Sequence, residues 1–460
     1  MLELFDVCVI GGGPAGASLA LQLAKLGRSV VVIEKVPFPR RHVGESLTGG
    51  ILPLLQVLGV LPRIEFGQFL KAPHSTVFWA GQLKSKETHG GYQVDRGVFD
   101  EILLREARSA GARVMQPARV LNIRREADWS IDLQGGVRLQ ARFVAVAGGR
   151  SQILGGKKIP FGSRTIAMYA YWSEVDPEGG ETLVEAGSSQ WYWGAPLPEG
   201  TFNATVFVDT ENAKKEQYLD LIHRSRLLSP RLREGACGEV CACDATSFLD
   251  EKIVTPDSIK VGDAALTIDP LSSQGVQTAI GTAIHGAIVI NTILDRPGET
   301  EMAMDFYCRR VADSAQFHAH TVAQQYWEQW TISHCSFWRK RATLDAARER
   351  RTSTRLTTLD QPVCVSRRAT FTPVAIATEK YVVESDGVVL DGEVFCRLGE
   401  HSISALLSQI SDTMPAREVL QNWSQQIPAG TALRFLEFAW ERGLLEGPQR
   451  CEMVPGQHRP

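Results

Sequence analysis

Apolar positions follow three rhythms along the chain. Residues 5–10 (FDVCVI) and 29–35 (SVVVIEK) are short β-branched runs, and residues 17–25 between them repeat apolar positions at helical spacing. This predicts a strand–helix–strand unit with parallel strands. After a joint at Pro37 and Pro39 the pattern predicts a helix over 49–58, strand character from 76, a helix over 95–110 and a buried strand over 143–147 (FVAVA). From 159 to 247 apolar and polar residues alternate between turn signals, as in TIAMYAYWSEV and TFNATVFVDT, which predicts an antiparallel sheet. Strand, loop and helix return from 259, and the run from Ala279 (AIGTAIHGAIVINTIL) contains His and Asn, so it reads as a buried core helix. Residues 301–350 read as long helices rich in aromatics. They end in a basic stretch from Arg339 to Arg351, most simply a solvated helix face. A polar linker over 352–362 leads to short strands with a turn at Asp386-Gly387, three amphipathic helical segments and a tail near Gly447, an order that is winged-helix-like.

The domain reading follows from these rhythms. Residues 1–75, 92–158 and 252–300 are expected to form one discontinuous nucleotide-binding domain, with 76–91 and 159–251 inserted as an antiparallel-sheet substrate domain. Residues 301–355 form a helical segment and 356–460 a small C-terminal α/β module. The fold class is α/β (α+β), built on a Rossmann-type unit. A length of 460 residues suits two or three domains at ~100–200 residues each. The formal charge of −3, from 49 basic and 52 acidic side chains, gives no global attraction to nucleic acid or anionic lipid, and neither is expected as a partner. Nine cysteines without a regular framework, and no leader-like segment before the first strand, predict a reduced, cytoplasmic protein.

Gly11, Gly13 and Gly16 stand in G-x-G-x-x-G spacing, with Ala15 between the last two, directly after a strand and opening a helix. Such glycines give a tight turn, close approach of backbone to a pyrophosphate, and close helix packing, while the helix N-terminus offers oriented N–H groups. Glu34, followed by Lys35, ends the second strand and can accept hydrogen bonds from ribose hydroxyls. This fingerprint alone does not choose between NAD and FAD. The later segment VGDAALTIDPLSSQGVQTA, with Gly262, Asp263 and Pro270, resembles the second motif of FAD enzymes of the para-hydroxybenzoate hydroxylase fold. That resemblance implies FAD, with Asp263 on the ribityl chain and the backbone N–H groups of Gly275 and Val276 near the flavin N1/C2 carbonyl. YQVDRGVFDEIL resembles the same family's helix start, which implies Arg96 near the pyrophosphate.

Within that fold, FPRRHVGESLTGG is similar to the flavin-dependent halogenase and halogenase-like monooxygenase branch, whose H/K/R-x-G-E-S segment lies beside the flavin. The resemblance covers roughly residues 1–330 and implies Arg41 and Ser46 as cofactor contacts and Glu45 as a catalytic candidate. WYWGAP, with Trp191, Trp193 and Pro196, is similar to the halogenases' W-x-W-x-I-P signature, with Ala195 in place of Ile; FLKAPHSTVFWAG resembles the segment carrying their catalytic lysine, here Lys71. Each also has a plainer reading: two core tryptophans at strand period, and a loop lysine. The chain looks most like the tryptophan-modifying flavoproteins of tryptophylquinone cofactor biogenesis, which serve quinohemoprotein amine dehydrogenase maturation. That likeness implies hydroxylation of a tryptophan side chain on a protein or peptide, such as an amine dehydrogenase subunit. O2 would be co-substrate, with NAD(P)H or a separate reductase as the source of electrons. The alternatives are a halogenase or small-molecule aromatic hydroxylase, and a flavin-binding scaffold or reductase without oxygenation. Oxygen chemistry at a flavin needs a dry pocket, and Trp79, Trp191, Tyr192 and Trp193 are candidates to line it. Cys237, Cys241 and Cys243, and His318 with His320, lack the spacing of a closed zinc site, and no metal is expected.

Overall fold

The computed structural model describes residues 3–151, 153–175, 180–342, 356, 358–410 and 412–448. The opening unit consists of β1 (Leu4–Ile10), α1 (Pro14–Lys25) and β2 (Val30–Ile33). β1 pairs in parallel with β2 on one side, Val7 opposite Val30, and with Arg138–Val146 on the other, Val7 opposite Phe143. Arg113–Met115 extends the sheet beyond β2, and Ser258–Lys260 extends it beyond Arg138–Val146, both in parallel. Val7, Cys8 and Val9 are fully buried, as a parallel strand covered on both faces requires. The helices Arg96–Ser109 and Gly275–Asp295 pack along α1. The apolar run from Ala279 is thus the inner part of a core helix.

The second layer is a nine-stranded, largely antiparallel sheet. Its strands include Ile166–Ser173, Thr182–Ala186, Trp191–Pro196 and Phe202–Val208, in the region whose alternation predicted them. Two further strands, Leu70–Trp79 and Gln82–Gln93, join it as a hairpin. The first begins six residues earlier than the expected onset at 76. The strand carries Pro73 and a register shift between Ala72 and His74, so the period of two breaks where it would have announced a strand. Lys71 therefore sits on a strand rather than a loop.

One face of this sheet packs on the short helices Tyr218–His223 and Leu228–Leu232 through Met168, Trp172, Tyr192 and Phe202. The other face presents Trp191, Trp193, Ala195 and Phe207 to Tyr326, Phe337 and Trp338. Tyr326 belongs to the helix Thr300–Ser333, and a left-handed residue at His334 redirects the chain into Ser336–Ala342. These helices belong to the same compact unit as both sheets. Of the basic stretch, residues 343–351 lie outside the described residues. The described part differs from a solvated face: Arg341 is 7% exposed and faces Asp209 at 2.8 Å, and Lys340 Nζ is 2.6 Å from the same carboxylate.

The C-terminal unit has its own core around Trp423, Phe435, Leu406 and Val388. It contains the paired strands Thr370–Ala377 and Val382–Leu390 and the helices Ile403–Leu407, Ala416–Ser424 and Ala429–Arg442. The expected turn at Asp386-Gly387 is mid-strand; the chain turns at Asp391-Gly392, both left-handed. Gly387 is a packing glycine: a Cβ there would lie 2.4 Å from Val374.

A buried ion pair anchors the resumption of the first sheet. Lys260 Nζ donates to Asp250 Oδ1 at 2.7 Å and to the Gly155 carbonyl at 2.6 Å, with both side chains below a tenth exposed. Asp250→Ala leaves the ammonium buried without its counter-charge and is expected to cost about 3–5 kcal/mol. Chemical denaturation checks it, and a loss under ~1 kcal/mol contradicts the assignment.

Candidate active site

The glycine turn between β1 and α1 is fixed by contact. Gly11 has φ +110°, and a Cβ on it would fall 2.5 Å from the Ala147 carbonyl oxygen; a Cβ on Gly16 would fall 1.8 Å from the Gly11 carbonyl oxygen. Both glycines are needed for the turn and helix to close. Gly13 differs: its virtual Cβ has only Arg40 Nη2 within 4 Å, at 3.3 Å. Gly13 caps α1, followed by Pro14, and there is space in front of it for a ligand to approach the helix N-terminus. Glu34 is 6% exposed, accepting from the N–H groups of Gly12 at 2.7 Å and Val36 at 2.9 Å, which aims its carboxylate beside the turn. Ala15 is buried in α1, whereas Lys35 and Arg41 are exposed. The arginine that reaches the turn is Arg40, held 3.2 Å from Asp100, a residue the motif reading passed over in favour of its neighbour.

Arg96 is buried, donating from Nε to Asp100 at 3.0 Å and from Nη1 to the carbonyls of Val43 and Gly44 at 2.9 and 3.3 Å. It ties the helix start to the 42–46 loop. Asp263 is the middle residue of the short 3₁₀ turn Gly262–Ala264 in the late loop, and its carboxylate has no hydrogen-bond donor among the described residues. Burial raises its pKa, opposed by the charges of Arg150, Arg96 and Lys158. Arg150 donates from Nη2 to the Thr246 carbonyl at 3.1 Å, and its Nη1 lies 3.5 Å from the Asp244 carboxylate. Beyond Pro270, Gly275 and Val276 open the 21-residue helix Gly275–Asp295, and a Cβ on Gly275 would meet nothing within 4 Å. An open glycine turn with Arg40 beside it, a buried carboxylate without a hydrogen-bond donor among the described residues and a helix N-terminus on open space fit a flavin dinucleotide: donors for phosphate, acceptors for ribose and ribityl hydroxyls.

Glu45 is 3% exposed and fully engaged. Its Oε1 accepts from the Tyr171 hydroxyl at 2.6 Å and Asn203 Nδ2 at 3.2 Å, and its Oε2 from the Gly44 N–H at 2.8 Å. Burial, then the Glu45 charge, pushes the Tyr171 phenol far above its usual pKa. Ser46 accepts from the buried Gln93, 3.3 Å away. Lys71 is exposed on its strand, opposite Tyr92, with no ion pair or hydrogen bond among the described residues. Trp191 and Trp193 lie on the core-facing side, Trp191 stacked on Phe207 with centroids 3.6 Å apart. Trp79 meets Trp338 edge-on at 5.3 Å and donates to the Gln325 carbonyl, while Tyr192 faces the opposite side of the sheet and cannot share that wall. His318 is buried and His320 exposed on one helix.

A model of the lycopene cyclase protein family matches residues 6–166. A tryptophan 2-halogenase of Chondromyces crocatus is 30% identical over 66% of this chain and 64% of its own length. Among solved structures, CmlS, a flavin-dependent halogenase, matches 97% of this chain and 96% of its own with TM-score 0.83 at 21% identity. The peptidyl tryptophan dihydroxylase QhpG, essential for tryptophylquinone cofactor biogenesis, matches 96% of this chain and 100% of its own with TM-score 0.74 at 24% identity. The chain is halogenase-like in fold and sequence. The match to the halogenase of C. crocatus spans just under two thirds of that protein, and both structural matches extend through the C-terminal unit.

For this halogenase-like chain the glycines separate two effects. Gly13→Ala is expected to leave the melting midpoint near that of the parent while abolishing flavin retention; Gly16→Ala should lower both, because its Cβ strikes backbone. Flavin absorbance per protein and thermal unfolding check it, and a fully yellow Gly13→Ala protein would contradict it.

Proposed function

We propose that the chain is an FAD- and O2-dependent enzyme that adds an electrophilic oxygen to an electron-rich aromatic ring, and that its substrate is a tryptophan side chain on a polypeptide. The observation that carries the reading is the carboxylate of Glu45, buried and held by the sheet beside the residues that fit the flavin. Bound flavin supplies the reductive activation of O2. The chain's own residues do the rest. The glycine turn, Arg40 and Arg150 would hold phosphate charge, Glu34 and Asp263 would accept from hydroxyls, and the N–H groups of Gly275 and Val276 at the helix start would favour negative charge on the ring. Trp191, Phe207, Trp338 and Trp79 exclude water from the space in front. Electrons come from NAD(P)H or a reductase, and an amine dehydrogenase subunit is the partner the tryptophylquinone likeness suggests.

Halogenation is the second reading, favoured by the similarity to a tryptophan halogenase. Lys71 weighs against it. A lysine that carries an oxidised halogen must be screened from water, and Lys71 is exposed. The test is a tryptophan-bearing peptide incubated with enzyme, FAD, reductant, O2 and chloride, read by mass spectrometry. A gain of oxygen on the tryptophan, undiminished in Lys71→Ala, supports hydroxylation. A chlorine isotope pattern lost in Lys71→Ala would replace it with halogenation.

A further inference from the structure

The aromatic wall that begins at Trp191 continues to the surface. The Trp191 indole N–H is hydrogen-bonded at the Tyr326 hydroxyl, and both residues are buried, at 1% and 2% exposure. Tyr326 also meets Trp79 and Trp338, with ring centroids 6.3 and 6.0 Å away. Trp330 lies one turn beyond Tyr326 on the helix Thr300–Ser333, at the i,i+4 spacing that puts two side chains on one face. It packs against the same apolar cluster as Trp79. Its ring stands 4.8 Å from that of Trp327, which is 44% exposed and the only exposed tryptophan among the described residues. Trp191, Tyr326, Trp330 and Trp327 thus form a file of indole and phenol rings from the interior of the large unit to solvent.

Packing alone does not ask for this composition. Phenylalanine or leucine would fill the same space without an N–H or O–H to satisfy, and an indole left in water forfeits the gain of burying its apolar area. What indole and phenol share, and phenylalanine lacks, is a ring that gives up one electron readily. The setting of Tyr326 suits that property. A phenol that loses an electron becomes strongly acidic, and a cation buried in an apolar cluster is costly, so the proton must leave with the electron. Asp269 is placed to take it, because the Tyr326 hydroxyl lies 3.1 Å from each of its oxygens. Burial raises the Asp269 pKa, which makes the carboxylate a stronger base toward that proton. The transfer leaves both buried groups neutral.

We propose that this file is a one-electron relay, in which an oxidising equivalent passes between Trp327 at the surface and the Tyr326–Asp269 pair inside, by way of Trp330. Inward, a soluble one-electron oxidant takes an electron from Trp327, Trp330 refills Trp327, Tyr326 refills Trp330, and the Tyr326 proton moves to Asp269. The products are the reduced oxidant, a Tyr326 phenoxyl radical and protonated Asp269. Outward, an oxidising equivalent that strays onto Trp191 is drained to Trp327, where a soluble one-electron reductant fills it. The outward direction spares the interior of an oxygen-using flavoenzyme, but the relay itself does not depend on that reading.

The experiment uses the full-length, flavin-loaded protein, oxidised and anaerobic, with a ruthenium(III) polypyridyl oxidant generated in solution by flash-quench at wavelengths the flavin does not absorb. Freeze-quenched samples are read by electron paramagnetic resonance. The parent is expected to give a tyrosyl radical signal that Tyr326→Phe abolishes. Trp327→Phe removes the entry point and should abolish the signal. Trp330→Phe removes the middle step and should replace the tyrosyl signal with an indolyl radical stranded at Trp327. Asp269→Asn keeps the shape but removes the base, so the tyrosyl signal should be lost while an indolyl signal remains. Melting midpoint and flavin content confirm that each variant is folded, and Trp327→Phe, at an exposed position, keeps the test decisive should a buried variant unfold. Absence of a Tyr326 radical from the parent, or a signal undiminished in Trp327→Phe, Trp330→Phe or Asp269→Asn, overturns the proposal. No substrate or O2 is present, so the result is independent of whether the enzyme hydroxylates or halogenates.

Discussion

The large unit depends on one buried carboxylate. Removing an ionised carboxylate from water is strongly unfavourable unless donors replace the lost hydration. Glu45 meets that condition only where the 42–46 loop of the nucleotide layer reaches the sheet residues Tyr171 and Asn203. Those two residues are directly opposed across neighbouring strands, so both present their polar ends on one face. A slip of one residue in either strand would turn a donor away and expose the charge to apolar neighbours. The carboxylate thus sets which face of the sheet looks toward the flavin-compatible turn. The same parity places Trp191, Trp193 and Phe207 on that side and Tyr192 on the other.

What could be read from the sequence followed the range of the interactions. β1, the glycine turn, α1 and β2 were legible because each is specified within a few residues by β-branching, helical spacing and close backbone contact. Motif likeness singled out Arg96 and Asp263, and the structure buries both beside charged groups, Arg96 on Asp100 and Asp263 near Arg96, Arg150 and Lys158. The strand at Leu70 was hidden by Pro73 and a bulge, which interrupt the period that identifies strands. Asp386-Gly387 and Asp391-Gly392 carry the same turn chemistry five residues apart, and only the contact between Gly387 and Val374 decides that the second one turns. Between Arg40 and Arg41 no local signal exists; the choice is made by Asp100, sixty residues away in sequence. The Tyr171–Glu45 and Tyr326–Asp269 pairs are separated by 126 and 57 residues, and neither leaves a local pattern.

The late loop carries two buried carboxylates that differ in what surrounds them. Asp263 faces Arg96, Arg150 and Lys158, charges that favour its ionised form against the effect of burial. Burial is the larger effect and raises its pKa, with the three cations opposing it. Asp269 faces a backbone N–H and the Tyr326 hydroxyl, with Arg341 as a more distant charge. Pro270 and the left-handed Ser273 bend the chain between the second aspartate and the helix that begins at Gly275. The loop thus packs Gly262 against Ala15 of α1 and, six residues on, lines with Asp269 the cavity that Tyr326 and Arg341 share. The side chains are identical, so fold and local turn chemistry alone make their surroundings differ.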